Sequence, residues 1–213
     1  MSRAIGSRPH TASTTPDITW THPGLVRILA AIPDSTNSLL DVGSGRGLIG
    51  ALCRIYRRLT RSVAVDVYTP YLQFCRGQRT YDHTVRADFG QSGLPFRSKS
   101  FDIATCIEVI EHLDRESGRR LLDELERVAS SVILTTPARF FAQDSFDENP
   151  WQKHKSVWSV RDFELRGYLV RGVDGLSAFA SSPSLSYATA PLTWVFPRLA
   201  SSYLCLKRRS PCP

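Results

Sequence analysis

The sequence predicts an α/β protein built on an open, mostly parallel sheet with helices on both faces. Three observations carry that expectation. Five short apolar runs alternate with stretches of helical spacing, a glycine-rich turn joins the first run to its helix, and two alternating runs close the chain. The 213 residues suffice for one such domain with a full core, hardly two. Apolar content of 42% and charged content of 22% are those of a soluble globule.

Residues 1–17, polar and rich in Ser, Thr and Pro, are expected to be flexible. One domain then runs over 18–213. Residues 22–32 place apolar side chains at helical spacing beside the first strand, 39–42. The next helix spans 48–59, with Ile49, Leu52, Cys53 and Tyr56 facing inward. A second strand at 62–67 leads to a short helix at 70–76, opened by a proline whose missing N–H costs nothing there. The third strand is 83–89, and the fourth, 101–108, follows a loop at 94–100. An amphipathic helix at 117–129 turns Leu121, Leu122, Leu125 and Val128 inward, and the fifth strand is 131–136. A helix at 160–167 closed by Gly167 precedes the last strands, 168–173 and 202–207. Between them, the Ser-, Ala- and aromatic-rich segment 176–197 is too apolar for a plain linker. Phe179, Tyr187, Trp194 and Phe196 could line a pocket, dock on a membrane or partner, or cover the sheet edge.

Glycines recur at every second position in Asp41-Val-Gly43-Ser44-Gly45-Arg-Gly47. Such a strand–turn–helix lets a ligand approach the backbone. Gly45-Arg-Gly47-Leu-Ile-Gly50 also fits the dinucleotide pattern, in which helix N–H groups hold a pyrophosphate. Asp41, read as lying at the mouth of the turn, would repel a pyrophosphate and favour a ligand with amino and sulfonium cations. Asp66, 19 residues beyond Gly47, can accept two ribose hydroxyls.

At these residues the chain resembles the class I S-adenosylmethionine-dependent methyltransferases, of the type 11 kind, over about residues 20–208. The resemblance implies a Rossmann-like sheet of seven strands with the last antiparallel. It implies transfer of a methyl group from S-adenosyl-L-methionine to an oxygen or nitrogen nucleophile. Asp41, Gly43, Ser44, Gly45 and Gly47 would take the methionine moiety, and Asp66 with Val67 the ribose. Asp88 would take the adenine amino group and Phe89 the ring face, with Glu108 closing the pocket.

Glu108-Val-Ile-Glu111-His112 follows the fourth strand, and His154 lies four residues before Trp158, after the fifth. If the chain turns into a helix after Glu108, the acids and His112 converge. With His154 they are a candidate site for a divalent cation, magnesium or manganese. This set is similar to that of the small-RNA 3′-terminal 2′-O-methyltransferases, in which the metal would hold the terminal ribose hydroxyls. Without metal, His112 or His154 would act as a base or positioning group, with Glu108 beside it. The acceptor class stays open among a small molecule, a lipid and RNA. A cofactor-binding regulatory subunit without turnover is the non-enzymatic alternative.

Net charge is +7, from 27 basic and 20 acidic side chains. It gathers at Arg54, Arg57, Arg58 and Arg61 and at 207–209, which is compatible with an anionic partner. Five cysteines without paired spacing point to a reducing, cytoplasmic compartment. No run approaches the ~18 apolar residues of a stable membrane span, and no secretory signal is visible.

Overall fold

A computed structural model describes residues 24–143, 145, 148–179 and 182–208. The expectation for residues 1–17, both ends of the domain and Cys212 lie outside them. Seven strands form one sheet: β1 (Ser38–Val42), β2 (Arg61–Asp66), β3 (His83–Arg86), β4 (Phe101–Ile107), β5 (Ala129–Pro137), β6 (Leu169–Gly172) and β7 (Ser202–Arg208). Their order is β3-β2-β1-β4-β5-β7-β6. The first five pair in parallel, and β7 runs antiparallel between β5 and β6. This is the expected seven-stranded, Rossmann-like arrangement, and its order reverses beside β1, where open α/β sheets hold ligands.

Among the described residues six α-helices accompany the sheet: α1 (Leu25–Ala31), α2 (Leu48–Tyr56), α3 (Thr69–Gln78), α4 (Arg115–Val128), α5 (Val160–Glu164) and α6 (Pro183–Val195). Strand side chains alternate between faces, so β1 sends Leu39 into one core and Leu40 and Val42 into the other. Leu39 packs with Ile28 and Ile32 around α1 and with Ile49 and Cys53 of α2. Leu40 packs with Leu121, Leu122, Leu125 and Val128 of α4 and with Phe163 of α5. Each fully buried leucine contributes roughly 1.5–3 kcal/mol. Asp114 caps α4 by accepting from the Ser117 N–H at 2.8 Å, and Ser159 with Asp162 forms a capping box on α5.

Several expected boundaries move, and the helix expected over 160–167 stops at Glu164, before Gly167. The helix after the glycine turn ends at Tyr56, not 59, and Tyr56 is exposed instead of inward. The cause is Arg57, which leaves the helix and sends its guanidinium to the Leu29 and Ile32 carbonyls at 2.7 and 3.0 Å, satisfying the open end of α1. The arginine cluster is thereby divided, since Arg54 pairs with Asp82 at 3.7 Å and Arg61 lies over the Phe101 ring. The third strand stops at Arg86 because Gln91 and Ser92 N–H groups donate to the Asp88 carbonyl and turn the chain. Segment 176–197 folds into a 3-10 turn and α6.

Cys53, Cys75, Cys106 and Cys205 are buried free thiols, and burial pushes Cys53 up to about 12 and Cys75 to about 11. Among the described residues no helix is long and apolar enough to cross a membrane.

Candidate functional site

The turn between β1 and α2 is shaped by what lies under it. Gly43, Gly45 and Gly47 all have left-handed backbone, φ +70°, +53° and +84°. A Cβ on Gly43 would stand 2.3 Å from a Val109 methyl, so the turn presses directly on the chain leaving β4. Gly43 and Ser44 N–H groups donate to the Val65 carbonyl at 2.7 and 3.2 Å, tying the turn to β2.

Asp66 ends β2 and faces the resulting cleft. Its oxygens accept from the Gly45 N–H at 2.9 Å and the Tyr68 N–H at 2.8 Å. Burial outweighs these bonds and holds its pKa above the ordinary carboxylate value. Gly43, Gly45, Asp66, Val67, Asp88 and Phe89 line one side of the cleft. Glu108, Val109 and His112 line the other, with Trp151 at the rim.

Asp41 is placed differently from the sequence expectation. It lies beneath the turn, buried, and does not line the cleft. Thr105 Oγ1 donates to one carboxylate oxygen at 2.6 Å and Tyr81 Oη to the other at 2.5 Å. The Gly50 N–H in turn donates to Tyr81 Oη at 3.1 Å. Burial lifts the Asp41 pKa to about 6 despite the two donors. The negative charge facing a ligand therefore comes from Asp66, Asp88 and Glu108. Three lining carboxylates still disfavour a pyrophosphate and favour a cationic ligand. Ser44 is buried in the turn. Sequence reasoning missed Tyr81 and Thr105, which carry no motif and reach Asp41 from 40 and 64 residues away.

Across the cleft, β4 ends at Ile107 and Glu108 takes left-handed backbone, φ +53°, a strained state for a residue with a side chain. Ile110–His112 then form one 3-10 turn, a single helical turn after Glu108. Glu111 is buried, accepts from Thr136 Oγ1 at 3.0 Å, and is pushed well above the ordinary range by burial and then by Glu108.

His154 arrives on the loop after β5. Lys155 and Ser156 N–H groups donate to the Glu111 carbonyl at 2.8 and 3.1 Å. Trp158 is buried, donates to Ser156 Oγ at 3.0 Å, and its ring lies where a Cβ on Gly118 would clash at 2.3 Å. The four-residue spacing from His154 to Trp158 is therefore an anchor and a reach. His154 Nδ1 faces the Phe141 carbonyl at 3.1 Å. A carbonyl asks for a proton on Nδ1, which leaves the Nε2 lone pair open.

Ligand atoms of Glu111, His112 and His154 lie within 4.8 Å of one another, with Glu108 beside Glu111. Burial and then His154 lower the His112 pKa to about 4, so its ring is neutral at neutral pH. Its buried Nδ1 has no hydrogen-bond partner among the described residues. Two imidazoles and the Glu111 carboxylate, with Glu108 outside this cluster but beside Glu111, fit a divalent cation of borderline character, and the unpartnered buried His112 Nδ1 is a suitable donor for one.

Residues 40–131 match a family model described as a methyltransferase domain. A comparison with curated proteins finds no match. Among solved structures, the chain is similar to a chain in the complex of the Haloferax volcanii Trm112 methyltransferase activator with a methyltransferase. That similarity has 16% identity, covers 90% of each chain and has a TM-score of 0.62. An S-adenosylmethionine-dependent methyltransferase from Archaeoglobus fulgidus shares 18% identity over 88% of this chain and 92% of its own, with a TM-score of 0.59. The methyltransferase domain of bacterial CtHen1-CN shares 21% over 86% and 95%, with a TM-score of 0.54. These likenesses concern the fold; the family model places a methyltransferase domain over the glycine turn, Asp66, Asp88 and Glu108–His112.

Proposed function

We propose that this chain is an S-adenosylmethionine-dependent methyltransferase that delivers its methyl group to a hydroxyl oxygen presented by a divalent cation at Glu108, Glu111, His112 and His154. One observation carries the reading: three ligating side chains from two separate loops converge within 4.8 Å, and His112 borders the cofactor cleft. A cation held there would supply Lewis acidity toward a bound hydroxyl.

The chain's own residues do the rest. Asp66 is placed to accept the ribose hydroxyls, Asp88 the adenine amino group, and Phe89 to cover the ring. The glycine turn gives the methionine moiety access to backbone. Val109 and Trp151 narrow the cleft and exclude water from the transfer path. In-line displacement then needs little beyond alignment, for which effective molarities of about 10⁵–10⁸ M are attainable. A metal-free base is the weaker reading, because an imidazole with a pKa of about 4 has little proton affinity at neutral pH.

A vicinal diol suits such a site. The resemblance of Glu108, Glu111, His112 and His154 to the set of the small-RNA 3′-terminal 2′-O-methyltransferases supports the 2′-hydroxyl at an RNA 3′ end as the acceptor. Calorimetric titration of manganese tests the site. The parent protein should bind one ion, and Glu111→Gln and His154→Ala should each weaken binding at least tenfold while S-adenosylhomocysteine still binds. Equal manganese affinity in all three proteins would discard the metal.

A further inference from the structure

α6 is built largely inside out. Apart from Trp194, which packs on the core beside α1, its inward side carries Ser186, Thr189 and Thr193, whose hydroxyls serve the backbone of the segment after β6. Ser186 Oγ accepts from the Gly175 N–H at 3.1 Å, Thr189 Oγ1 accepts from the Leu176 N–H at 2.9 Å, and Thr193 Oγ1 donates to the Asp174 carbonyl at 2.8 Å. The outward residues are apolar. Leu185, Leu192 and Val195 follow one another along the exposed side, and Phe196 and Leu199 continue it, with Val195 63% and Phe196 54% exposed. A water-facing helix normally shows the opposite arrangement.

A second exposed element adjoins this one. After β5 the chain runs Arg139-Phe140-Phe141, with both phenylalanines more than half exposed. The Ala138 N–H donates to the Ser201 carbonyl at 2.8 Å, and Arg139 and Arg198 both lie close enough to Tyr203 to influence its hydroxyl. Both elements lie at the strand ends where the cleft opens, since Gly172 and Pro137 pair with Tyr203 and Ser202 there. Phe141 also packs edge-on against the His154 ring, 4.4 Å between centroids.

Charge selects the occupant. No Asp or Glu occurs after Asp174, whereas Arg198, Lys207, Arg208 and Arg209 do. Arg198 is exposed within the apolar stripe and Arg139 beside it. We propose that the outer face of α6, the turn after it and Phe140–Phe141 form a docking surface for an anionic lipid bilayer, in which the apolar side chains enter the acyl boundary and Arg139 and Arg198 meet headgroup phosphates. This goes beyond the methyl-transfer reading and does not require it. It also brings the acceptor mouth, through Phe141 and His154, to the membrane surface.

The test is sedimentation of the full chain with vesicles. The parent should sediment with phosphatidylglycerol–phosphatidylcholine vesicles and about tenfold less with phosphatidylcholine alone. Leu192→Glu with Phe196→Glu should lower binding to both at least tenfold. Arg139→Glu with Arg198→Glu should abolish the preference for the anionic vesicles. Retained S-adenosylhomocysteine binding certifies that each variant is folded, and neither pair belongs to the proposed donor or metal site. A parent that stays in the supernatant, or variants that sediment like it, overturns the proposal. So does a lipid-free dimer that Leu192→Glu dissociates, which would assign the face to a second copy. RNA binding lost with the apolar pair would overturn it too.

Discussion

Asp66 and Asp41 end neighbouring strands, yet they serve the cleft in different ways. Asp66 lines the cleft with its carboxylate held by two backbone N–H groups. Asp66→Ala should lower S-adenosylhomocysteine affinity at least tenfold by calorimetry, since hydrogen bonds to a charged group contribute about 1.5–3 kcal/mol each. Asp41 acts through Tyr81 and Thr105. Its pKa rises from 3.8 to about 6 on folding, so the stability it contributes is full below pH 3.8 and is lost as pH climbs through about 6. The loss amounts to about 3 kcal/mol. Urea unfolding of the ligand-free parent and of Asp41→Asn should therefore diverge with pH. The variant should gain on the parent between about pH 4 and 7, and parallel curves would refute the buried placement. Spacing alone could locate the two acids, but only the fold shows which one lines the cleft.

At the scale of elements, the glycine turn depends on close contact as much as on backbone freedom. Gly50 has ordinary helical backbone, yet a Cβ there would meet the Tyr81 ring at 2.3 Å. Gly50→Ala should displace Tyr81, break its bond to Asp41 and cost about 1–3 kcal/mol in thermal or urea unfolding. A neutral result would show that the contact is slack. The strands were legible because parallel strands buried on both faces read as apolar runs. β3 was overextended because a turn at the Asp88 carbonyl leaves no mark in the pattern. The segment with α6 resisted reading for a physical reason. Apart from Trp194, its inward positions are Ser and Thr bonded to backbone, so polarity there reports the opposite of exposure.

For the molecule as a whole, the sheet brings the loops after its five parallel strands together at one end, around the cleft. That Gly43, Gly45, Asp66, Asp88 and Phe89 line one side of the cleft was readable from motifs close together in sequence. The cluster on the acceptor side was readable only as candidates, since Glu111 and His154 meet through Lys155 and Ser156 bonding to the Glu111 carbonyl. Trp158 fixes that approach. Trp158→Ala should cost about 3–5 kcal/mol as a large-to-small core change, and in whatever stays folded manganese affinity should fall while donor affinity holds.

Methyl transfer from radiolabelled S-adenosylmethionine to fractionated RNA, lipid and small-molecule hydroxyl acceptors tests the central claim most directly, run with manganese and again with chelator. Label should reach a hydroxyl acceptor with the ion, vanish with chelator, and vanish in His154→Ala although that protein still binds S-adenosylhomocysteine. Transfer that continues undiminished in chelator, or in His154→Ala, would contradict a cation held by the two histidines and two glutamates.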